Sequence, residues 1–132
     1  MVNISKDLHF GLAQEDKVLS ILQNKINTNI TKTSQFHAFD YFYDNVYYEL
    51  KTRRIKHDTY TDTMVGYNKL KFAKENPQYK YVFVFNFTDG LYTHNWVEDK
   101  LYNIKISGRS DRGRLELQEY FYINKTDLVL IT

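Results

Sequence analysis

Alternation of apolar and polar positions is clearest from residue 36 to residue 53, FHAFDYFYDNVYYELKTR. Residues 36–43 and 46–52 are rich in aromatic and β-branched side chains, and Asp44-Asn45 between them suits a two-residue turn with positive φ. This predicts a β-hairpin in which Tyr43 lies opposite Val46, Phe42 opposite Tyr47, Tyr41 opposite Tyr48 and Asp40 opposite Glu49. Side chains alternate along a strand. One face therefore carries Phe39, Tyr41, Tyr43, Val46, Tyr48 and Leu50, and the other Ala38, Asp40, Phe42, Tyr47, Glu49 and Lys51. Two carboxylates facing one another destabilise a hairpin. Either a divalent cation offsets the repulsion, or the edge is solvated and Lys51 neutralises one acid.

Before the hairpin, residues 8–26 have helical periodicity. Leu8, Leu12, Val18, Leu19, Leu22 and Ile26 share a face, and Glu15 falls within that stripe while Asp16 and Lys17 point away. A buried carboxylate is costly without a partner, so Glu15 is either a functional acid or sits at a frayed edge of the core. Residues 27–35 form a polar connection. After the hairpin, Arg53, Arg54, Lys56 and His57 make a basic loop. Residues 61–76 are expected to be a second helix, capped by Thr61 or Asp62 and stopped by Pro77, with Val65, Gly66, Leu70, Phe72 and Ala73 inward. Lys69 lies in that inward arc, as a snorkelling side chain or as the partner of an acidic site.

The run 81–87, YVFVFNF, suits a strand covered on both faces. Asp89-Gly90 is a turn signal, and residues 91–97, 101–106 and 115–123 read as further strands. His94 on the first of these reads as structural. Arg109, Arg112 and Arg114 lie among glycines in a second basic loop, and residues 127–132 are apolar enough to tuck against the core. The pattern describes one domain, 1–132, of α/β (α+β) class, with a central mixed β-sheet flanked by helices.

Composition narrows the chemistry. With no cysteine, a disulfide framework, a thiolate zinc site and a cysteine nucleophile are excluded. A net charge of +2 argues only weakly for a polyanionic partner. No apolar run approaches the ~20 residues of a membrane span, and the N-terminus lacks a signal-peptide core. A soluble, cytoplasmic protein with no membrane partner is the expectation.

The charges that interrupt the apolar patterns are Glu15, Asp40, Glu49, Lys51 and Lys69. Their order resembles the PD-(D/E)XK nuclease superfamily, the restriction-endonuclease-like fold. Glu15 matches the acid on its first helix, Phe39-Asp40 its strand-end Asp with Phe in place of Pro, and Glu49-Leu50-Lys51 its acid-x-Lys. Lys69 matches the Lys or Gln often found on the following helix. The resemblance implies Mg²⁺ (or Mn²⁺) held by Asp40, Glu49 and the backbone carbonyl of Leu50, with Glu15 as a further metal or water ligand. It implies Lys51 beside the attacking water, Lys69 at the scissile phosphate or beside Glu15, and products with 5′-phosphate and 3′-hydroxyl ends. Arg53, Arg54, Lys56, Arg109, Arg112 and Arg114 would then hold DNA phosphates.

A metal-dependent DNA endonuclease is the resulting expectation. A Holliday-junction resolvase or other structure-selective nuclease is the alternative within the superfamily. A nucleic-acid-binding module on a degenerate nuclease fold is the alternative outside catalysis. The short chain favours weakly specific cutting, with a homodimer as one way to address both strands.

Overall fold

The computed structural model describes residues 4–98, 100–109 and 116–132, and side chains from Phe10 onward except at 108, 109, 116 and 117. In chain order the elements are α1 Ile4–Lys25, β1 Thr31–Lys32, β2 Tyr41–Tyr43, β3 Val46–Thr52, β4 Asp62–Gly66, α2 Tyr67–Glu75, β5 Lys80–Phe87, β6 Gly90–Asn95, β7 Asn103–Arg109, β8 Glu116–Asn124 and β9 Val129–Leu130.

Two sheets form. The larger is mixed, in the order β1-β2-β3-β5-β6-β9, and the smaller is antiparallel, in the order β4-β8-β7. β3 and β5 run parallel at the centre, and β4 with α2 makes the crossover between them. Helix α1 packs on one face of the large sheet, where Val18 and Leu22 meet Tyr41, Tyr48 and Val84. On the other face, Leu70 and Ala73 of α2 and Phe121 and Ile123 of β8 close over Phe83, Phe85 and Phe87. β5 is thus covered on both sides, as its unbroken apolar run requires.

The hairpin register is as expected from Tyr41↔Tyr48 to Tyr43↔Val46. Asp44 and Asn45 have φ of 50° and 64°, which a two-residue turn matching the strand twist demands. The first strand is shorter than its pattern suggests. β2 begins at Tyr41, because polar side chains upstream capture the backbone locally. His37 N–H donates to the Ser34 carbonyl at 3.0 Å, the Phe39 N–H donates to His37 Nδ1 at 3.0 Å, and the Thr33 hydroxyl donates to the Phe39 carbonyl. Phe39 consequently leaves the face of Tyr41 and joins the opposite cluster, among Phe72, Tyr81 and Phe83.

Residues 62–66 are a strand, not the first turns of a helix. Thr63 and Val65 alternate with Met64, and β8 offers partners from Asn124 to Tyr120. The helix begins at Tyr67 after Gly66, without a side-chain cap. Its inward set still holds in part: Leu70 and Ala73 are buried, and Lys71 and Lys74 are exposed.

On α1, Leu12 and Ile26 are 45% and 46% exposed, and residues 10–13 are all exposed, so the sheet covers only the later turns of the helix. β9 pairs with β6, leaving Val129 and Leu130 exposed while Leu128 and Ile131 pack inward. His94 is buried and joins the Asp127 carbonyl at 3.1 Å and the Tyr102 hydroxyl at 2.8 Å, a structural position as expected. No helix among the described residues is long and apolar enough to cross a membrane.

Candidate active site

The strand break at Asp40 builds the centre of the site. In a continued antiparallel ladder the N–H of Leu50 would meet a backbone carbonyl. Here the Asp40 carboxylate takes its place, accepting from the Leu50 N–H at 2.7 Å, while Asp40 N–H donates to the Tyr48 carbonyl at 2.9 Å. N–H and C=O of one strand residue leave by the same edge, so the Leu50 carbonyl also faces the edge that β2 has vacated. Glu49, one residue back and on the opposite face, is 4% exposed.

Burial, then the neighbouring Asp40 carboxyl, push the Glu49 carboxyl up to about 8, against the opposing pull of Lys51 and Lys69. A buried acid whose charged form is costly marks a place where a cation is at home. Two hard carboxylate oxygens beside a backbone carbonyl are the donor set a small divalent ion takes.

Two lysines close on Glu49. Lys69 Nζ lies 3.0 Å from Glu49 Oε2 and also donates to the Ala38 carbonyl. Lys51 Nζ lies 3.6 Å from the same oxygen. Lys69 is the more enclosed, at 16% side-chain exposure against 29% for Lys51. The snorkelling alternative for Lys69 is therefore not what the fold adopts: its ammonium is anchored at both a carboxylate and a carbonyl.

Glu15 approaches from α1, across the edge of the sheet. Its carboxyl is raised by partial burial and then by the negative charge of Asp40, with Lys32 opposing. It is 36% exposed, so it lies at the rim of the helix contact rather than inside an apolar stripe. Tyr41, fully buried, holds this turn of α1 by donating its hydroxyl to the Glu15 carbonyl at 2.8 Å. Lys32 Nζ sits 2.5 Å from Asp16 Oδ1 and 3.9 Å from Glu15 Oε2. Neither Tyr41 nor Lys32 was legible as part of the site, because each reaches it only once β1 pairs with β2 and the sheet meets α1.

The basic side chains diverge. Arg53 donates to the Met64 carbonyl at 2.7 Å, tying the end of β3 to β4. Arg54 is exposed and lies 4.3 Å over the Phe10 ring, and Lys56 is exposed. Arg109 lies on β7 with its side chain outside the described residues, as are Arg112 and Arg114 altogether. A second group of potential ligands, His57, Asp58 and Asp89, has its donor atoms within 4.8 Å of one another. His57 there is already clamped to Asp89 through its N–H at 2.9 Å and Nδ1 at 2.6 Å.

A mixed sheet flanked by helices, with an acid on the first helix, an Asp where one strand starts and acid-x-Lys on the next, is the architecture of a PD-(D/E)XK nuclease. Residues 9–128 match the model of the family described as "Phage putative PDDEXK endonuclease", and the chain belongs to that family. No curated protein and no solved structure matches the chain.

Proposed function

We propose that this protein is a divalent-metal-dependent DNA endonuclease whose site is Asp40, Glu49, Lys51, Lys69 and Glu15. The observation that carries the proposal is the buried Glu49 carboxyl next to the half-buried Asp40, with the ammonium groups of Lys69 at 3.0 Å and Lys51 at 3.6 Å. Asp40, Glu49 and the Leu50 carbonyl would hold Mg²⁺ or Mn²⁺. Bound there, the ion supplies charge neutralisation at the phosphate and a more acidic attacking water.

The chain's own groups do the rest. Lys69 keeps the Glu49 carboxylate aimed at the site. Lys51, the more exposed ammonium, orients the attacking water or relays its proton. Glu15 supplies a further acceptor at the rim next to Asp40. Hydrolysis in this sense leaves 5′-phosphate and 3′-hydroxyl ends, and Arg54 and Lys56 offer phosphate contacts on the exposed flank.

Nicking of supercoiled plasmid tests this, in Mg²⁺ or Mn²⁺ and in EDTA, with wild type, Asp40→Asn and Glu49→Gln. The expected result is cutting only with metal and only by wild type. Cutting in EDTA, or near wild-type cutting by either variant, would sink the assignment. A gel shift with no cutting would favour the binding-module alternative.

A further inference from the structure

A cavity of about 370 Å³ lies between the end of β3 and the small sheet. Its apolar lining comes from Ile55, Met64 and Phe87, and Tyr60 and Tyr122 bring two aromatic rings to it. Asp62 and Thr63 add polar groups, and Arg53 and Lys125 add positive charge. Tyr60 is 65% exposed and stacks on no other ring among the described residues. The volume is at the lower end of the ~300–1,000 Å³ typical of small-molecule sites, with room for one flat heterocycle and its sugar.

The cavity's position relates it to the acidic site. Glu49, Lys51 and Arg53 follow one another at every second residue, so they share the face on which α2 and the small sheet pack. Arg53 begins the cavity wall about 7 Å along the strand from Lys51, two residues at ~3.3–3.4 Å each. That is one to two nucleotides of a strand rising about 3.4 Å per stacked base. A paired base cannot enter a pocket at that distance without leaving the stack.

We infer that this cavity receives an unpaired nucleobase of the DNA strand, one to two nucleotides from the phosphate being cut. The inference rests on the reading of the site as a DNA endonuclease and names its substrate class: single-stranded or locally unpaired DNA in preference to intact duplex. Tyr60 is the stacking platform, because any base has a face for it. The Asp62 carboxylate accepts from an exocyclic amino group on the base edge, and Lys125 faces the phosphate.

The test measures affinity by fluorescence anisotropy in EDTA, with the full chain, a labelled single-stranded oligonucleotide and its blunt duplex. Wild type is expected to bind the single strand at least about tenfold more tightly than the duplex. Tyr60→Ala, at an exposed position, is expected to weaken single-strand binding about tenfold and leave duplex binding unchanged. Equal affinity for strand and duplex, or equal loss on both in the variant, overturns the inference. Cleavage of the same two substrates in Mg²⁺ is scored separately. A strand preference without cutting supports the cavity while refuting the nuclease reading. Equal cutting of both, with no effect of Tyr60→Ala, refutes the cavity and leaves the nuclease reading intact.

Discussion

Glu49→Gln in the metal-free protein should change how stability depends on pH. In the folded chain the Glu49 carboxyl is raised from 4.5 to about 8, first by burial and then by Asp40. Below about pH 4.5 both folded and unfolded chains hold the proton, and the native state buries a neutral acid at little cost. Between 4.5 and about 8 the folded state keeps a proton that the unfolded chain has shed, so stability falls as pH rises. The full displacement corresponds to a ceiling of about 5 kcal/mol at ~1.4 kcal/mol per pKa unit. The measured step should be smaller, because relaxation and water penetration relieve part of the cost of a buried charge.

An amide does not titrate, so the variant should lack this slope. Thermal unfolding in EDTA from pH 5 to pH 9 reads it directly. The difference in Tm between variant and wild type should grow with pH by on the order of 10 °C. His94, whose imidazole is lowered chiefly by burial, destabilises both proteins alike on the acid side and cancels in the difference. Mg²⁺ at pH 8.5 should then raise the wild-type Tm, by about 2.7 kcal/mol of stability at a hundredfold excess over Kd, and raise the variant's far less. Parallel pH curves for the two proteins would refute a raised Glu49 carboxyl. Equal stabilisation of both by Mg²⁺ would place the cation elsewhere.

Two further outcomes separate the roles of neighbouring side chains. Lys51→Ala should lower single-turnover cleavage by roughly 10²–10⁴-fold with DNA affinity in EDTA largely kept; lost affinity at an unchanged rate would make Lys51 a phosphate anchor instead. Glu15→Gln should fold well and cut poorly, because its carboxyl is raised in part by the charge of Asp40, whereas Asp16→Asn, exposed and paired with Lys32, should cut normally. Plasmid nicking after a check of the melting curves decides it, and the reverse pattern would remove Glu15 from the site.

Strong patterns bound only at short range could be read from the chain alone. The hairpin turn at Asp44-Asn45 needs two positive φ angles, and a two-residue connection leaves one register; both are local constraints. The same register put Glu49 and Lys51 on one face with the acid of Asp40 nearby, and the arc of α2 aimed Lys69 inward. These follow from periods of 2 and 3.6 residues. The order of the charges then sufficed for the family.

Tertiary structure decided what those periods cannot encode. Residues 61–66 fit the apolar arc of a helix, yet pairing of 62–66 with β8, more than fifty residues later, selected a strand. Phe39 changed faces because Thr33 and His37 captured the backbone before the ladder could extend. The depth of Glu15 depended on how far the sheet extends beneath α1, which no helical wheel contains. The raised carboxyl of Glu49 likewise arises only when the assembled fold excludes water around that one acid. Local geometry can be read from neighbours in sequence, whereas burial is a property of the neighbours that folding supplies.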